Sequence, residues 1–268
     1  MTTATEAWLA QLQNIVTNGI EENTRGMKTK ELINQTIKFD METPIIYHEK
    51  RKLNYQFMAA EAEFIANGDN RVSSLSRYNK NIAQFSDDGL IFNGNYGDPF
   101  NSQLNYVVKS LVDLRESRQA VLTIWQANPV KSNDTRCTLT MQFLIRDGYM
   151  DCVVNMRSSD IVWGIGYDLF NFTIMALRVL TLYNTTVHVD SVNIVQLGSM
   201  YLNAGSSHLY ERHYDLAESI LEHKSKSVDI LVPIKAYSNW NYIAHSLVAC
   251  KENTYTEDMW QLNPLNIK

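Results

Sequence analysis

Hydrophobic and polar residues follow more than one period along this chain. Apolar residues recur at helical spacing from Glu6 to Val16, from Leu53 to Ala66 and from Gln103 to Leu114, so each segment predicts a helix. Glu31 to Phe39 and Ala120 to Trp125 have compositions typical of strands. The first half of the chain therefore mixes helices and strands.

A strand-turn-strand pattern occupies the centre of the chain. Leu139 to Ile145 and Met150 to Met156 are rich in β-branched and apolar residues, and Asp147-Gly148 lies between them. That dipeptide supplies the positive φ angles that a tight primed turn requires. We therefore predict a buried hairpin whose open end brings Cys137 close to Arg157.

The most apolar stretch follows this hairpin. Asp168 to Tyr183 is apolar on almost every side, which predicts a central helix buried nearly all round. Asp168 stands at the start of this stretch, where a carboxylate is an expected N-cap. The pattern then predicts strands at Val187 to Leu197 and Val228 to Ile234, and a helix that opens at Gly205 to His213.

Two polar segments interrupt these elements. Residues 67–100 carry repeated turn signals, and irregular segments of such length are usually functional or disordered; five aromatic residues make disorder the weaker alternative. The segment Asn23 to Thr29 holds two cations, a glycine and two hydroxyls. This composition suits an anion site, although a solvated loop is the commoner explanation.

Length and composition favour one domain over residues 1–268, because 45% of the residues are hydrophobic and can form a substantial core. The order of the elements predicts an α+β fold. No apolar run approaches a membrane span, and the N-terminus lacks the features of a signal peptide. We therefore expect a cytoplasmic protein that does not bind membranes.

Charge and cysteine content narrow the choice of ligand. A net charge of −5 argues against binding of duplex nucleic acid, but it permits a small anionic ligand held by local cations. The three cysteines match neither a disulfide framework nor a zinc spacing, so we expect no metal.

The residues alone indicate one candidate nucleophile and one glutamate in an unusual position. Cys137 beside Arg157 would be a thiol whose anion is stabilised, as nucleophilic catalysis near neutral pH requires. Taken singly, a small buried thiol and a surface ion pair are more frequent. Glu61 lies between Phe57 and Phe64 on one predicted helix face, which suggests partial burial, although an exposed edge position is more frequent for glutamate.

The order and spacing of these residues resemble the thymidylate synthase superfamily over most of the chain. Ordered agreement of this many motifs is far more specific than one short motif. Within that superfamily, the residues around Cys137 and Arg157 are most similar to the phage deoxycytidylate hydroxymethylases. The shared segments are Ala60-Glu61-Ala62, Asn95-Tyr96-Gly97, Glu116-Ser117-Arg118, Asn128-Pro129, Cys137, Gln142-Phe143, Arg157-Ser-Ser-Asp160 with Gly164, and His208-Leu-Tyr210.

This resemblance implies a thymidylate synthase-like fold, with a mixed β-sheet, a buried central helix, flanking helices and a homodimer formed through the sheet. It also implies C5 hydroxymethylation of dCMP, with 5,10-methylenetetrahydrofolate as co-substrate and water as the source of oxygen. A dCMP methyltransferase that takes hydride from tetrahydrofolate is the nearest alternative. The tail Gln261 to Lys268 lacks the apolar C-terminal residues of thymidylate synthases, which favours water. A non-catalytic nucleotide- or RNA-binding relative is a third possibility.

The same resemblance assigns the chemical roles. Cys137 would add to C6 of the pyrimidine and so make C5 a carbon nucleophile. Glu61 would organise the water and the proton transfers, and with Asp160 and Tyr96 it would line the folate site, where Asp160 faces the pterin.

Nucleotide binding is assigned in the same way. Arg157 and Ser158 would hold the phosphate, helped by Arg118 from the other subunit and by one cation of the 24–29 loop. Two residues at the 208–210 motif would bond the sugar 3′-hydroxyl. In chain order, the assigned residues are Arg25 or Lys28, Arg118, Arg157, Ser158, His208 and Tyr210.

Asp168 would determine which pyrimidine base the site binds. Thymidylate synthases have an asparagine at the matching position, whose amide can donate to O4 of uracil and accept from N3–H. Cytosine presents the opposite pattern, an amino donor at C4 and an acceptor at N3. A carboxylate accepts from that amino group, so Asp168 favours dCMP as the substrate. We therefore expect Asp168 to recognise the base rather than only to cap its helix.

Overall fold

A mixed six-stranded sheet is the frame of this fold, which a computed structural model describes for residues 2–187, 194–223, 240–252 and 254. The strand order is β1-β2-β6-β5-β4-β3. The strands are β1 Ile20–Thr24, β2 Met27–Asp40, β3 Val121–Thr123, β4 Thr138–Arg146, β5 Tyr149–Asp160 and β6 Gln196–Tyr210.

Helices precede, connect and follow these strands. The longest, α5, links the parallel strands β5 and β6 and has most of its residues buried. The helices are α1 Ala4–Asn18, α2 Tyr55–Ala66, α3 Val72–Ser76, α4 Gly97–Asp113, α5 Ile165–Thr186, α6 Tyr214–Glu222 and α7 Trp240–Lys251, with short 3-10 turns at Lys80–Phe85 and Glu211–His213.

The pairing directions bring four strand ends to one edge of the sheet. β5 and β6 run parallel, whereas β2 pairs antiparallel with β6 and β4 pairs antiparallel with β5. The starts of β2 and β4 therefore lie beside the ends of β5 and β6. In this register Asp160 is opposite His208, and Tyr210 is opposite Thr29.

One face of the sheet forms the core with the helices. In β5, four buried residues, Met150, Cys152, Val154 and Met156, alternate with partly exposed ones, as a strand with one buried face requires. α5 is long and apolar enough to cross a membrane, but most of it is buried inside the protein. The indole N–H of buried Trp8 donates to the Ile161 carbonyl oxygen at 2.7 Å and so attaches α1 to the segment before α5.

The other face of the sheet carries a polar ladder across four strands. Thr36 donates to the side-chain oxygen of Asn203, whose amide donates to Asn155, and Asn155 donates in turn to Thr140. The three distances lie between 2.8 and 3.1 Å. These contacts keep the polar groups of this face paired within the chain.

The sequence predicted most of these elements correctly. The helices at 6–16 and 53–66, the strand at 31–39 and the central hairpin are confirmed as α1, α2, β2 and β4–β5. Asp147 and Gly148 both have positive φ, as the predicted turn requires. α4 and α5 begin six and three residues earlier than predicted, at Gly97 and Ile165, because glycine-containing turns there continue into the helix.

Two predicted elements after α5 are wrong. Residues 205–210 belong to strand β6, and the next α-helix begins only at Tyr214, because glycine and serine obscure the strand alternation here. The predicted strand at Val187 to Leu197 is wrong at residues 187, 194 and 195, since α5 runs to Thr186 and β6 begins only at Gln196. The predicted strand Val228 to Ile234 and the tail Gln261 to Lys268 lie outside the described residues.

The turn of the central hairpin gives a stability prediction. Gly148 has φ of +83°, and an added Cβ would have no heavy atom within 4 Å. Gly148→Ala should therefore lower the free energy of unfolding by about 1–2 kcal/mol through backbone strain alone. Gly148→Asn is the matched control and should lower it less, because asparagine tolerates positive φ. Equal losses in urea denaturation would contradict this origin.

Candidate active site

The predicted site residues gather where the four strand ends meet. Cys137 immediately precedes β4, Ser158 lies near the end of β5, and Tyr210 ends β6. Residue 25 lies in the turn between β1 and β2, at the same edge of the sheet. The sheet thus unites groups that are far apart in sequence.

Arg157 is held directly against Cys137. Its backbone N–H donates to the Cys137 carbonyl oxygen at 2.8 Å, and its Nη2 lies 3.5 Å from the Cys137 sulfur. The guanidinium also donates to the carbonyl oxygens of Arg136 and Thr135, at 2.9 and 3.0 Å. The cation is therefore fixed in place by backbone contacts beside the thiol.

Arg157 stabilises the Cys137 anion as expected, but the pKa of this thiol is nevertheless raised overall. Burial raises the pKa of the thiol above its usual value, and Arg157 and Ser158 only partly oppose this effect. The negative charge of Asp168 raises the pKa further. Since desolvation is the largest effect, the resting site holds a neutral thiol at neutral pH.

Two carboxyl groups, from α2 and α5, interact in the interior. Glu61 is partly buried, which makes the expectation of an exposed edge position wrong; burial raises its pKa to about 7, while a hydrogen bond from Asn171 lowers it. Burial also raises the pKa of Asp168, as do the charges of Glu61 and Asp160. Both carboxyl groups can therefore hold a proton under conditions where an exposed carboxyl group is ionised.

Asp168 is not the cap of its helix. α5 begins at Ile165 with Gly164 in the N-cap position, and the backbone N–H of Asp168 donates to the Gly164 carbonyl oxygen at 3.0 Å. The capping interpretation of this carboxylate is therefore wrong. Its charge instead adds to the effect of burial, which raises the pKa of Cys137 and of Tyr96, so Asp168 lies close to both residues.

Asp160, His208 and Tyr210 form the end of the site nearest β6. The Asp160 carboxylate accepts from the backbone N–H groups of Val162 and Trp163, at 2.9 and 3.1 Å. His208 and Tyr210 are two residues apart on one strand and so share a face, with ring centroids 5.0 Å apart. Burial lowers the pKa of His208, so its imidazole is neutral at pH 7.

Tyr96 closes the site on the side of α4. Its ring stacks on Phe172 of α5, with centroids 6.3 Å apart. Burial raises the pKa of its hydroxyl, and the nearby charges of Asp168 and Cys137 add to this effect. The Tyr96 side chain is therefore uncharged at neutral pH, and its ring lines one side of the candidate site.

The peripheral cations are placed differently from one another. Arg25 forms the β1–β2 turn with Gly26. Burial raises the pKa of Tyr210 and the charge of Arg25 opposes part of this increase, so Arg25 approaches the cluster. Lys28 is exposed and pairs with Glu211 at 3.5 Å. Arg118 is exposed before β3 and, within the described residues, has no side-chain hydrogen bond or ion pair to the cluster.

Sequence reasoning missed a group of residues beside Asp160. Arg51 lies over the ring of Trp163 at 4.9 Å, and the Trp163 indole N–H donates to Nε2 of His213. Arg51 is buried, yet its Nη2, like Nδ1 of His213, has no hydrogen-bond partner among the described residues. Trp163 itself is 50% exposed. The signal in the sequence was a tryptophan in a glycine-containing turn directly after Asp160.

Asn171 was also missed. Its amide donates to Glu61 Oε2 at 2.7 Å, although only 4% of the residue is exposed. A single amide within an otherwise apolar helix face was the available signal, because a buried polar group needs a partner.

This chain is similar to a family model and to several curated proteins. The family model for thymidylate synthase matches residues 6–243. The deoxycytidylate 5-hydroxymethyltransferase of Enterobacteria phage T4 is 30% identical over 206 residues, which cover 72% of this chain and 80% of that protein.

Two similar proteins carry a different substrate in their names. The deoxyuridylate hydroxymethyltransferase of Bacillus phage SP01 is 30% identical over 235 residues, and that of Pseudomonas phage M6 is 32% identical over 129 residues. These matches cover 78% and 45% of this chain. They span only 58% and 37% of the two phage proteins.

The burial of Cys137 gives a prediction for its alkylation by iodoacetamide. Because burial raises the thiol pKa, the rate should keep rising with pH above neutrality, as the thiolate fraction grows. Arg157→Leu should slow alkylation at pH values below the thiol pKa, because the guanidinium lowers that pKa. Cys137→Ala is the control for Cys152 and Cys250, which are buried. A rate independent of pH, or unchanged in Arg157→Leu, would contradict this account.

Proposed function

The chain belongs to the thymidylate synthase family, and on that premise we propose that it transfers a hydroxymethyl group to C5 of dCMP. The one-carbon unit comes from 5,10-methylenetetrahydrofolate, which leaves as tetrahydrofolate, and the hydroxyl oxygen comes from water. C5 loses its proton, and the bond between the Cys137 sulfur and C6 breaks as the product forms. The named relatives support a hydroxymethyl transfer but differ in the base. The observation that carries the choice of dCMP is the carboxyl group of Asp168 beside Cys137.

Cys137 starts the reaction as the nucleophile. Its sulfur forms a bond to C6 of the pyrimidine, and the electrons of the C5–C6 double bond make C5 nucleophilic. Arg157, with Nη2 at 3.5 Å, favours the thiolate that this attack requires. Because burial opposes ionisation, the thiol must give its proton to water or to a neighbouring base before the sulfur attacks C6.

Asp168 recognises the cytosine edge. One carboxyl oxygen accepts from the 4-amino group, and the other shares a proton with N3. The raised pKa makes this sharing possible from either side, since the proton can reside on Asp168 or on N3 while the hydrogen bond persists. Addition of sulfur at C6 increases the basicity of N3 and so strengthens this contact.

Glu61 handles the water and the proton transfers. With a pKa of about 7, its carboxyl group exists in both protonation states at neutral pH. Such a group can take a proton from one site and return it to another, as general acid–base catalysis requires. Partial burial between α2 and α5 places it beside Asp168, where the base binds.

The nucleotide phosphate and sugar bind along the strand ends. Arg157 and Ser158 of β5 and Arg25 of the β1–β2 turn hold the phosphate, with Arg25 better placed than Lys28, whose ammonium group pairs with Glu211. His208 and Tyr210, on one face of β6, bond the 3′-hydroxyl of the sugar. The neutral imidazole of His208 can either donate or accept.

The residues beside Asp160 suit the folate co-substrate. The half-exposed indole of Trp163 offers a stacking surface for a heteroaromatic ring, and Asp160 offers a carboxylate for its donor groups. Arg51 Nη2 and His213 Nδ1 are buried polar atoms that an anionic or polar part of the ligand can satisfy. When bound, the folate supplies the one-carbon unit, and Tyr96 and Glu61 line the space between it and the base.

The functional unit proposed here is a homodimer. The sheet face with the Thr36–Asn203–Asn155–Thr140 ladder is partly exposed and internally hydrogen-bonded, so it can pack against a second copy without leaving these groups unpaired. Exposed Arg118 lies beside this sheet and completes the partner's phosphate site.

Hydroxymethylation of dUMP is the second candidate. The relatives from phages SP01 and M6 are named for that substrate. A protonated Asp168 could donate to O4 of uracil and accept from N3–H, whereas the ionised form would oppose O4 with like charge. Since burial keeps Asp168 protonated to a higher pH than usual, dUMP would be used best at low pH.

Asp168→Asn tests the choice of base. It should lower kcat/KM for dCMP and raise it for dUMP, shifting the preference by about one to two powers of ten, since a buried donor facing a donor costs about 1–3 kcal/mol. In the wild type, the ratio of kcat/KM for dCMP to that for dUMP should rise with pH, as Asp168 loses its proton. Equal changes for both nucleotides at saturating folate would leave Asp168 without a role in base recognition.

Mixing two inactive variants tests the shared site. Cys137→Ser lacks the nucleophile and Arg118→Ala lacks the cation that acts across the interface. In a mixed dimer, the subunit with an intact cysteine receives Arg118 from its partner. Random exchange should therefore restore about a quarter of the wild-type sites. No recovery, despite exchange shown by native mass spectrometry, would contradict a contribution across the interface.

A further inference from the structure

Asn171 makes the only hydrogen bond to the Glu61 carboxyl group among the described residues. Its Nδ2 donates to Glu61 Oε2 at 2.7 Å, a short contact of the kind formed with a charged acceptor. The other end of the amide is different: Oδ1 of Asn171 is buried and has no hydrogen-bond partner within the described part of the chain. A buried carbonyl oxygen without a partner is unfavourable, so its retention calls for a reason.

The surroundings of Glu61 leave this amide as its main polar partner. From α5, Asp168 faces Glu61 as a like charge, and Asp160 of β5 adds to the same negative region. Tyr96, at the start of α4, and Cys137, before β4, are neutral at pH 7 and lie near Asp168. The other acidic residue on α2, Glu63, is paired with Lys251 of α7. No cation offsets the charge of Glu61 within hydrogen-bond distance in the described residues.

We propose that Asn171 is a positioning residue that orients Glu61 and hydrogen-bonds it in both of its protonation states. This inference rests on the proposed function, in which Glu61 transfers protons.

The chemistry of an amide suits this task. When Glu61 is ionised, the Nδ2 group donates to its carboxylate, as observed. When Glu61 is protonated, rotation of the amide presents Oδ1 to accept the new O–H. An ionised carboxylate at position 171 could only accept, and a cation could only donate, so either could hydrogen-bond Glu61 in only one of its protonation states. The donor and the acceptor of the amide are therefore both used over one catalytic cycle.

The geometry supports a positioning role rather than contact with substrate. Asn171 lies three residues after Asp168 on α5, so the two side chains share a face of the helix, one turn apart. In the proposed function Asp168 contacts the base, whereas Asn171 contacts Glu61. Its neighbour Phe172 stacks on Tyr96, which holds this turn of α5 against the site.

The direct test is the titration of Glu61 without substrate. The carboxyl carbons of the glutamates would be followed by 13C NMR, with Glu61→Gln identifying the Glu61 signal. Asn171→Leu keeps the size of the side chain but removes both hydrogen-bonding groups. The amide bonds the ionised carboxylate more strongly than the protonated acid and so lowers the pKa of Glu61; its loss should therefore move the titration to higher pH. An unchanged titration would overturn the proposal.

Kinetics provide the second readout. Asn171→Leu should lower kcat by about 10- to 100-fold, the usual range for a lost hydrogen bond to a charged group, with little change in KM for the nucleotide. The acid limb of its pH–rate profile should move to higher pH by the same amount as the NMR titration. Thr173→Val is the matched control, since it removes a buried hydrogen bond on the same helix, from Thr173 to Leu169 at 2.8 Å. An equal loss of kcat in this control would contradict a specific role for Asn171.

The proposed function and the proposed role of Asn171 can be refuted separately. A shifted titration in a protein that makes no hydroxymethylated nucleotide would refute the proposed function and leave the Asn171–Glu61 pair intact. Formation of the product together with an unshifted titration would support the proposed function and refute the role of Asn171. If Asn171→Leu does not fold, Asn171→Asp keeps the shape and should also move the titration of Glu61 to higher pH, because an ionised carboxylate cannot donate; no shift would again overturn the proposal.

Discussion

The parallel register of β5 and β6 is the constraint on which the site depends. Parallel neighbours need a crossover, and α5 supplies it through the core. This connection sets the ends of both strands side by side, with Asp160 opposite His208. It also directs the first turns of α5 towards the same edge, which brings Asp168 to Cys137. A shift of one residue would turn the side chains of β6 to the other face.

The site is assembled at a cost in stability. The pKa of Glu61 is raised from 4.5 to about 7, so the folded state holds a proton that the unfolded chain releases. This difference opposes folding by about 3 kcal/mol above pH 7, and the penalty disappears as the pH falls below the unfolded value. Asp168 adds a penalty of the same sign. The apolar core around α5 offsets these unfavourable terms, so the folded protein can keep both carboxyl groups with raised pKa values.

Local signals in the sequence were sufficient for the elements whose residues agree with their neighbours. Asp147-Gly148 specified a hairpin turn, and the apolar period specified α1 and α2. The strand β6 was missed around Gly205, because small polar residues satisfy neither period and the strand is specified by its partners β2 and β5.

In the candidate site, too, some features follow from local sequence and others depend on distant segments. Cys137 and Arg157 were predicted to be neighbours from the hairpin alone, and they are. The sign of the change in the thiol pKa was not predictable, because it depends on burial by distant segments. The Asn171–Glu61 contact joins α2 to α5 across 110 positions in the sequence, and no local pattern encodes it.

The most direct test of the account is mass spectrometry of the nucleotide formed by the purified protein from dCMP and 5,10-methylenetetrahydrofolate, with dUMP in a parallel reaction and Cys137→Ala as the control. The account predicts a dCMP product heavier by CH₂O, formed faster than any product of dUMP and absent in the control. A product heavier only by CH₂, a product from dUMP alone, or undiminished formation by Cys137→Ala would contradict it.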